Sequence, residues 1–495
     1  MNRRLPDSLA SRADFSGQYI GGQWRPGRSG KTLTDTDPFT GRTLATITLA
    51  SELDLDDAYR AAAQAQKAWA QTLPAERSEL FLRAISLMDL RHEEIVSWLV
   101  RESGSTRTKA EMEWGAVRAG MLEASSMPGR AVGRIQPIDV PGKESRTYRV
   151  PLGVIGVISP WNWPMLLSHR SIAPALALGN AVVVKPADET PVTGGLLLAS
   201  IYEEAGLPSG LLNVVVGDVE DIGDAFTLHP IPKFISFTGS TRVGRRIGEL
   251  AMRGPMIKRV GLELGGNAPL IVLDDADVQQ AVRAAVFGRF LHQGQICMST
   301  NRIIVHEAVY DEFVEKFVAS VRTLKHGDPD LADTAIGPII NRRQLNGMLQ
   351  RIADARAAGM TQLLGGDPQG AVLPPHVFVD VDNMSELAQS ELFGPIAVII
   401  RARDEPHAIE MANQTDAGLS SALFTADEAR ATRIALELDV GMTHINDITV
   451  NDSPNVMFGG EKNSGIGRFN GDWIIAEFTR DHLVTLQRNK PVYPF

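Results

Sequence analysis

The stretch VPLGVIGVISPWNWPMLLSHRSIAPALALGNAVVVK, residues 150–185, decides the fold. An apolar run at 154–158 breaks at a Pro- and Trp-flanked turn. Apolar residues then recur at helical spacing over 166–178 until Gly179, and a second apolar run follows at 181–184. Runs without a polar face suit strands covered on both sides. The unit repeats: strands at 212–216, 234–237 and 259–264 alternate with helices at 192–205, 219–228 and 242–252. Repeated βα units predict an α/β fold with a parallel sheet, which binds ligands at the carboxyl ends of its strands.

Before this block, 19–26 and 33–49 read as short strands with Gly and Pro turns. Three helices follow at 53–73, 74–102 and 106–126, with Gly104 as a stop. Residues 130–149, punctuated by Pro137, Pro141 and Gly142, read as a hairpin or a linker. A second α/β block starts after Gly265 and Gly266, with strands at 270–273, 302–305, 377–381, 396–400 and 442–445. Its helices fall at 278–291, 310–324, 342–357 and 428–438. The β-prone tail at 478–495 has the character of a strand that completes a sheet in a partner subunit. No internal repeat or low-complexity segment interrupts the chain.

At 495 residues the chain exceeds one ordinary core, and 44% hydrophobic with 22% charged residues is a globular balance. Lys and Arg total 49 against 59 Asp and Glu, a formal charge of -10 with no long basic block, which argues against a nucleic-acid partner. A single cysteine excludes an intrachain disulfide and a multi-cysteine zinc site, and fits a reducing compartment. The basic start MNRRLP leads into no apolar stretch, and no apolar run approaches the ~20 residues of a membrane helix. The expectation is a cytoplasmic protein with no membrane partner.

That cysteine, Cys297, lies in FGRFLHQGQICMSTNR, 287–302, where an apolar helix gives way to a Gln-Gly-Gln turn. An ionised thiol is a good nucleophile, yet most lone cysteines are buried and inert. Its prospective companions sit at strand ends. Asn162, after the first strand, has the amide needed to steady an oxyanion, or shapes a proline turn. Lys185 opens KPADETP, where it and Asp188 or Glu189 suit ribose hydroxyls, or form a solvated loop. Ser240, in FTGSTRVG, can cap a helix whose N-terminus attracts phosphate. Glu263 is a carboxylate in an apolar strand, a general base or half of an ion pair. Glu391 and Phe393, in ELFGP, suit a flat ring, or a turn.

Taken together, PWNWP, KPADETP, FTGSTRVG, LELGGNAP, GQICMSTNR, ELFGP and FGGEKNSGIGR, in that order, resemble the aldehyde dehydrogenase superfamily. The resemblance implies a Rossmann-like cofactor domain at 1–132 and 151–262, a second α/β catalytic domain at 263–463, and a small β oligomerisation arm at 133–150 and 479–495. It implies Cys297 as nucleophile, Asn162 with the Cys297 N–H as oxyanion hole, and Glu263 as the base that activates water. Lys185, Asp188, Ser240, Glu391, Phe393 and Trp161 would contact NAD, with NADP a second possibility that Asp188 opposes by charge. The implied reaction passes through a thiohemiacetal and a thioester and needs no metal. Asp472 stands where some relatives carry a Glu proposed to relay protons, and is left out of the catalytic set. The implied assembly is a homodimer or homotetramer.

The stretches 443–471 and 166–173 resemble the benzaldehyde and vanillin dehydrogenase branch, with Arg170 where many relatives carry an apolar or aromatic residue. Motif position puts Trp161, Trp163, Ile296, Met298, Met457 and Phe458 at the substrate mouth beside Arg170. Flat apolar walls and polarizable methionines favour an aromatic aldehyde over a medium-chain aliphatic aldehyde or a semialdehyde. A non-catalytic relative would have no need of Cys297, Glu263 and Asn162 together.

Overall fold

The computed structural model describes residues 15–490 and 492–495; the basic start at 1–6, the first part of the 1–132 segment, and Pro491 lie outside the described residues. The fold is α/β, built on two large sheets. In the first, five parallel strands stand in the order Leu212–Val214, Ala181–Lys185, Val154–Ile158, Phe234–Thr238, Arg259–Glu263. The hairpin Gln18–Ile20 and Gln23–Arg25 extends one edge, and Gly465–Ile466 pairs antiparallel with Glu263 at the other.

The chain winds outward from Val154–Ile158 through two strands, then returns to its other side at Phe234–Thr238. The strand order therefore reverses between these two, and their carboxyl ends open the crevice expected at such a switch point. Register brings Ile158 beside both Lys185 and Phe237, so the turns carrying Asn162, Asp188 and Ser240 leave the sheet on one edge. Val182, Val183 and Val184 are wholly buried. Burial of each contributes roughly 1.5–3 kcal/mol, so packing rather than the polar strand ends holds this half together.

The helical layer departs from expectation at one point. The single helix predicted over 74–102 is two, Pro74–Leu90 and His92–Ser103, broken at Arg91. Phe81, Ile85, Met88, Ile95 and Leu99 keep helical phase across the break, so apolar spacing could not reveal it. The break lets Glu102 accept the Val192 and Thr193 amide protons at 2.7 Å each, where the predicted 192–205 helix opens as a π-helical turn, Val192–Leu196.

The second sheet runs Thr361–Leu364, His376–Val379, Ile396–Ala402, Thr300–His306, Ala268–Val272, Ser420–Phe424, Met442–Ile445, parallel except for its first strand. Ser420–Phe424, with two serines, lacked a readable apolar run. Residues 130–149 resolve as a hairpin: Arg134–Gln136 pairs with Lys143–Pro151, which pairs along its length with Thr479–Gln487. The tail strand thus joins a sheet within its own chain, and it is an edge strand of that sheet among the described residues.

Candidate active site

Cys297 is placed by a turn that the chain reaches under strain. The helix Val278–Phe290, capped by Asp277, gives way to His292, Gln293 and Gly294 in left-handed conformation, with φ of 49°, 57° and 73°. The two non-glycine residues cost about 1–3 kcal/mol each. Surrounding bonds offset that cost. Gln293 Nε2 donates to the carbonyls of Gly104 and Pro338 at 3.0 and 2.9 Å, and Gln295 Oε1 accepts the Ile340 N–H at 3.1 Å. The buried Arg289 guanidinium donates to the carbonyls of Thr300, Leu392 and Gly394, tying this turn to the 391–394 loop. A β-carbon on Gly294 would lie 2.4 Å from that guanidinium, so only glycine fits.

Asn162 meets this turn from the first sheet. It lies between the strand Val154–Ile158 and the helix Pro164–Ala177, and its Nδ2 donates to the Gln295 carbonyl at 2.9 Å. Glu263 ends its strand buried, and among the described residues neither carboxylate oxygen has a hydrogen-bond partner. Burial pushes its pKa up to about 8; Arg170 and Arg468 pull it down, and Asp452 pushes it up. Glu391 is half-buried and accepts the Gly266 N–H at 3.1 Å; desolvation raises its pKa to about 7, against that N–H and the Arg351 and Arg289 charges. The Cys297 thiol is pushed up to about 12 by burial, helped by Glu391 and Glu263 and opposed by Arg170 and the Met298 N–H. It therefore needs a base to give up its proton.

Cys297, Asn162, Trp161, Ser240, Glu391 and Phe393 line one cavity of about 280 Å³. Trp161 and Phe393 meet edge to face across it, with centroids 5.5 Å apart. Leu264 and Gly265, next to Glu263, form part of the wall. A larger cleft of about 650 Å³ shares Gly265 and Glu391 but includes neither Cys297 nor Asn162. Lys185 and Asp188 lie outside the cavity, with Nζ and Oδ1 3.3 Å apart, while Glu189 accepts from Asn341 at 3.0 Å. Ser240 precedes the helix Thr241–Arg253 without spending its hydroxyl on a cap, and a β-carbon on Gly244 would lie 2.3 Å from Leu264, so the helix packs closely on the strand end. An uncommitted helix N-terminus with close backbone approach fits a dinucleotide phosphate.

The aldehyde dehydrogenase family model matches residues 24–484. The chain belongs to the aldehyde dehydrogenase family. Among curated relatives of this dehydrogenase, a vanillin dehydrogenase of Corynebacterium glutamicum is 53% identical, over 96% of this chain and 98% of its own. Benzaldehyde dehydrogenase YfmT of Bacillus subtilis is 46% identical, over 97% and 99%. Among solved structures, an NAD-dependent benzaldehyde dehydrogenase of Corynebacterium glutamicum superposes with a TM-score of 0.90 at 50% identity, covering 97% of this chain and 98% of its own.

Of the residues expected at the mouth of this dehydrogenase, Trp161 lines the 280 Å³ cavity and the other six do not. Trp163, Ile296, Met298 and Phe458 are buried in the first apolar core, against which Met457 packs. Arg170 is ion-paired with Asp452 and lies 3.9 Å over the Phe458 ring, with Nη1 buried and without a hydrogen-bond partner among the described residues. Asp472 is exposed on the surface, paired with Arg130 at 2.7 Å. Three contributors escaped the sequence reading. Asp452 and Arg468 lay within quoted motifs but drew no role, and Arg289 stood in a helix read only for its apolar face. Among the described residues, no group of three or more His, Cys, Asp or Glu side chains gathers as an ion site, and no helix is long and apolar enough to cross a membrane.

Proposed function

We propose that this dehydrogenase oxidises an aromatic aldehyde to its carboxylic acid, with NAD, by way of an acyl group carried on Cys297. The observation that carries the reading is the cavity in which Cys297, Asn162 and Glu391 converge with two aromatic rings, beside a buried carboxylate without a hydrogen-bond partner among the described residues. Glu263 takes the thiol proton, and sulfur attacks the aldehyde carbon as the carbonyl electron pair moves to oxygen. Asn162 spends one amide proton on Gln295, leaving its second for that oxyanion, with the Cys297 N–H as the other donor. NAD, when bound, supplies the hydride acceptor that leaves a thioester at Cys297. Glu263, having passed the thiol proton on to solvent, then draws a proton from water, which attacks the thioester; the C–S bond breaks, Glu263 returns that proton to sulfur and the acid departs.

Lys185 and Asp188 would hold the adenosine ribose, Ser240 the pyrophosphate, and Glu391, Phe393 and Trp161 the nicotinamide end. The Asp188 carboxylate repels a 2′-phosphate, so NAD is preferred and NADP is the weaker cofactor. The aromatic reading draws on the named relatives, on the two rings Trp161 and Phe393 in the Cys297 cavity, and on the apolar Trp163, Ile296, Met298, Met457 and Phe458, the last lying under Arg170.

Residues 1–132 and 151–262 form the cofactor domain in this reading, 263–463 the catalytic domain, and 133–150 with 479–495 an arm that joins two or four copies. The open edge of Thr479–Gln487, with Leu483, Val484 and Leu486 exposed, supports that arm. The reading places the enzyme in the cytoplasm.

Initial rates of NADH formation with benzaldehyde, vanillin, hexanal and succinic semialdehyde, repeated with NADP, test the substrate assignment. The expected result is the highest kcat/KM for the aromatic pair with NAD. A preference for hexanal or the semialdehyde would overturn the aromatic assignment while leaving the covalent chemistry intact.

A further inference from the structure

Behind the Asn162 turn lies a buried ion pair that the reaction does not use. Lys109 and Glu113, one turn apart on the helix Arg107–Arg130, are both fully buried and bonded to each other. Burying two charges carries a large desolvation penalty that further hydrogen bonds must offset. Those bonds go to the segment next to Asn162. Glu113 Oε1 accepts the N–H of Met165 at 2.9 Å and of Leu166 at 3.1 Å. Pro164, the first residue of the helix Pro164–Ala177, has no N–H, and Trp163 before it offers no capping acceptor. Glu113 therefore takes the first two amide protons this helix possesses, as a cap supplied by another helix. Lys109 Nζ lies 4.6 Å from the centre of the Trp163 ring, a cation–π contact on the residue adjoining Asn162. The turn is thus gripped from two directions, by Gln295 through Asn162 and by this pair through Trp163, Met165 and Leu166.

We infer that Glu113, neutralised by Lys109, is a positioning residue for Asn162, fixing the turn so that the amide is already aimed where negative charge develops. The inference rests on the reading of Asn162 as an oxyanion donor. A pair that only stabilised the packing of two helices would show the same contacts, so the test must read coupling to Asn162 rather than stability.

Four full-length proteins suffice: wild type, Glu113→Ala, Asn162→Ala and the double variant. Each is assayed for benzaldehyde oxidation with NAD, for cofactor-free hydrolysis of p-nitrophenyl acetate, which needs the same oxyanion donor, and for NAD affinity by calorimetry. Glu113→Ala is expected to lower both activities about 10- to 100-fold, the scale of a misplaced reacting geometry. NAD affinity should stay within about twofold, and in the Asn162→Ala background the same change should cost less than about threefold. An equal loss in both backgrounds, or full activity of Glu113→Ala, would overturn the inference. Full activity of Asn162→Ala alone would remove the oxyanion reading, and this inference with it. Should Glu113→Ala not fold, Lys109→Met/Glu113→Gln, which keeps a neutral acceptor for Met165 and Leu166, is compared with Lys109→Met/Glu113→Ala. The glutamine pair is expected to be the more active only when Asn162 is present, and equality of the two would contradict the positioning role.

Discussion

Next to Cys297 the Asn162 amide is held by the Gln295 carbonyl, on a turn clamped by Glu113 and Lys109; at Glu263, by contrast, both oxygens are buried with no hydrogen-bond partner among the described residues. The contrast is what the proposed roles, oxyanion donor for Asn162 and base for Glu263, require. An oxyanion donor works by being in place before charge appears, so every bond that fixes it lowers the reorganisation left to the reaction. A base must accept a proton and then release it, and bonds to its carboxylate would hold it ionised and weakly basic. Burial without partners does the reverse, raising the Glu263 pKa to about 8.

Removing the thiol common to both sides has the largest effect. Cys297→Ala should abolish NADH formation while NAD binding, measured by calorimetry, persists; residual turnover above a few per cent would assign the nucleophile elsewhere. The free side is then probed by pH. Because only the ionised carboxylate accepts a proton, kcat should rise through an apparent pKa near 8. Glu263→Gln should flatten that limb and lower the plateau by about 10²- to 10⁴-fold. A limb that survives in the variant would belong to another group. The same raised pKa works against stability: between roughly pH 4.3 and 8 the folded state binds a proton at Glu263 that the unfolded chain has lost, so this contribution falls as pH rises. The smallest change tests the cofactor end, remote from the contrast. Asp188→Ser should raise kcat/KM with NADP about tenfold by removing like-charge repulsion, with little change for NAD. An unchanged NADP rate would place ribose discrimination on other residues.

The fixed and free sides differed in how plainly the sequence announced them. The repeating apolar runs and closing glycines of 150–264 predicted the parallel sheet, and Asn162, Ser240 and Glu263 were legible because each stands at or just beyond a strand end. The clamp behind Asn162 was not. Lys109 and Glu113 at helical spacing look like any solvated pair, and nothing local to the 106–126 pattern says that this face meets Met165, some fifty residues on. The break at Arg91 was hidden because one non-helical residue left the apolar phase intact. Arg170 was picked out by its unusual residue type, yet its pairing with Asp452 and its stacking on Phe458 depend on chain brought from nearly three hundred residues away.

The central claim is that a covalent acyl group on Cys297 awaits release by Glu263. Intact-protein and peptide mass spectrometry of Glu263→Gln, quenched after mixing with benzaldehyde and NAD, tests it most directly. The account predicts one added benzoyl group on the Cys297 peptide, absent when NAD is omitted and absent in Cys297→Ala. An unmodified Cys297 with free benzoate accumulating at the wild-type rate would contradict it.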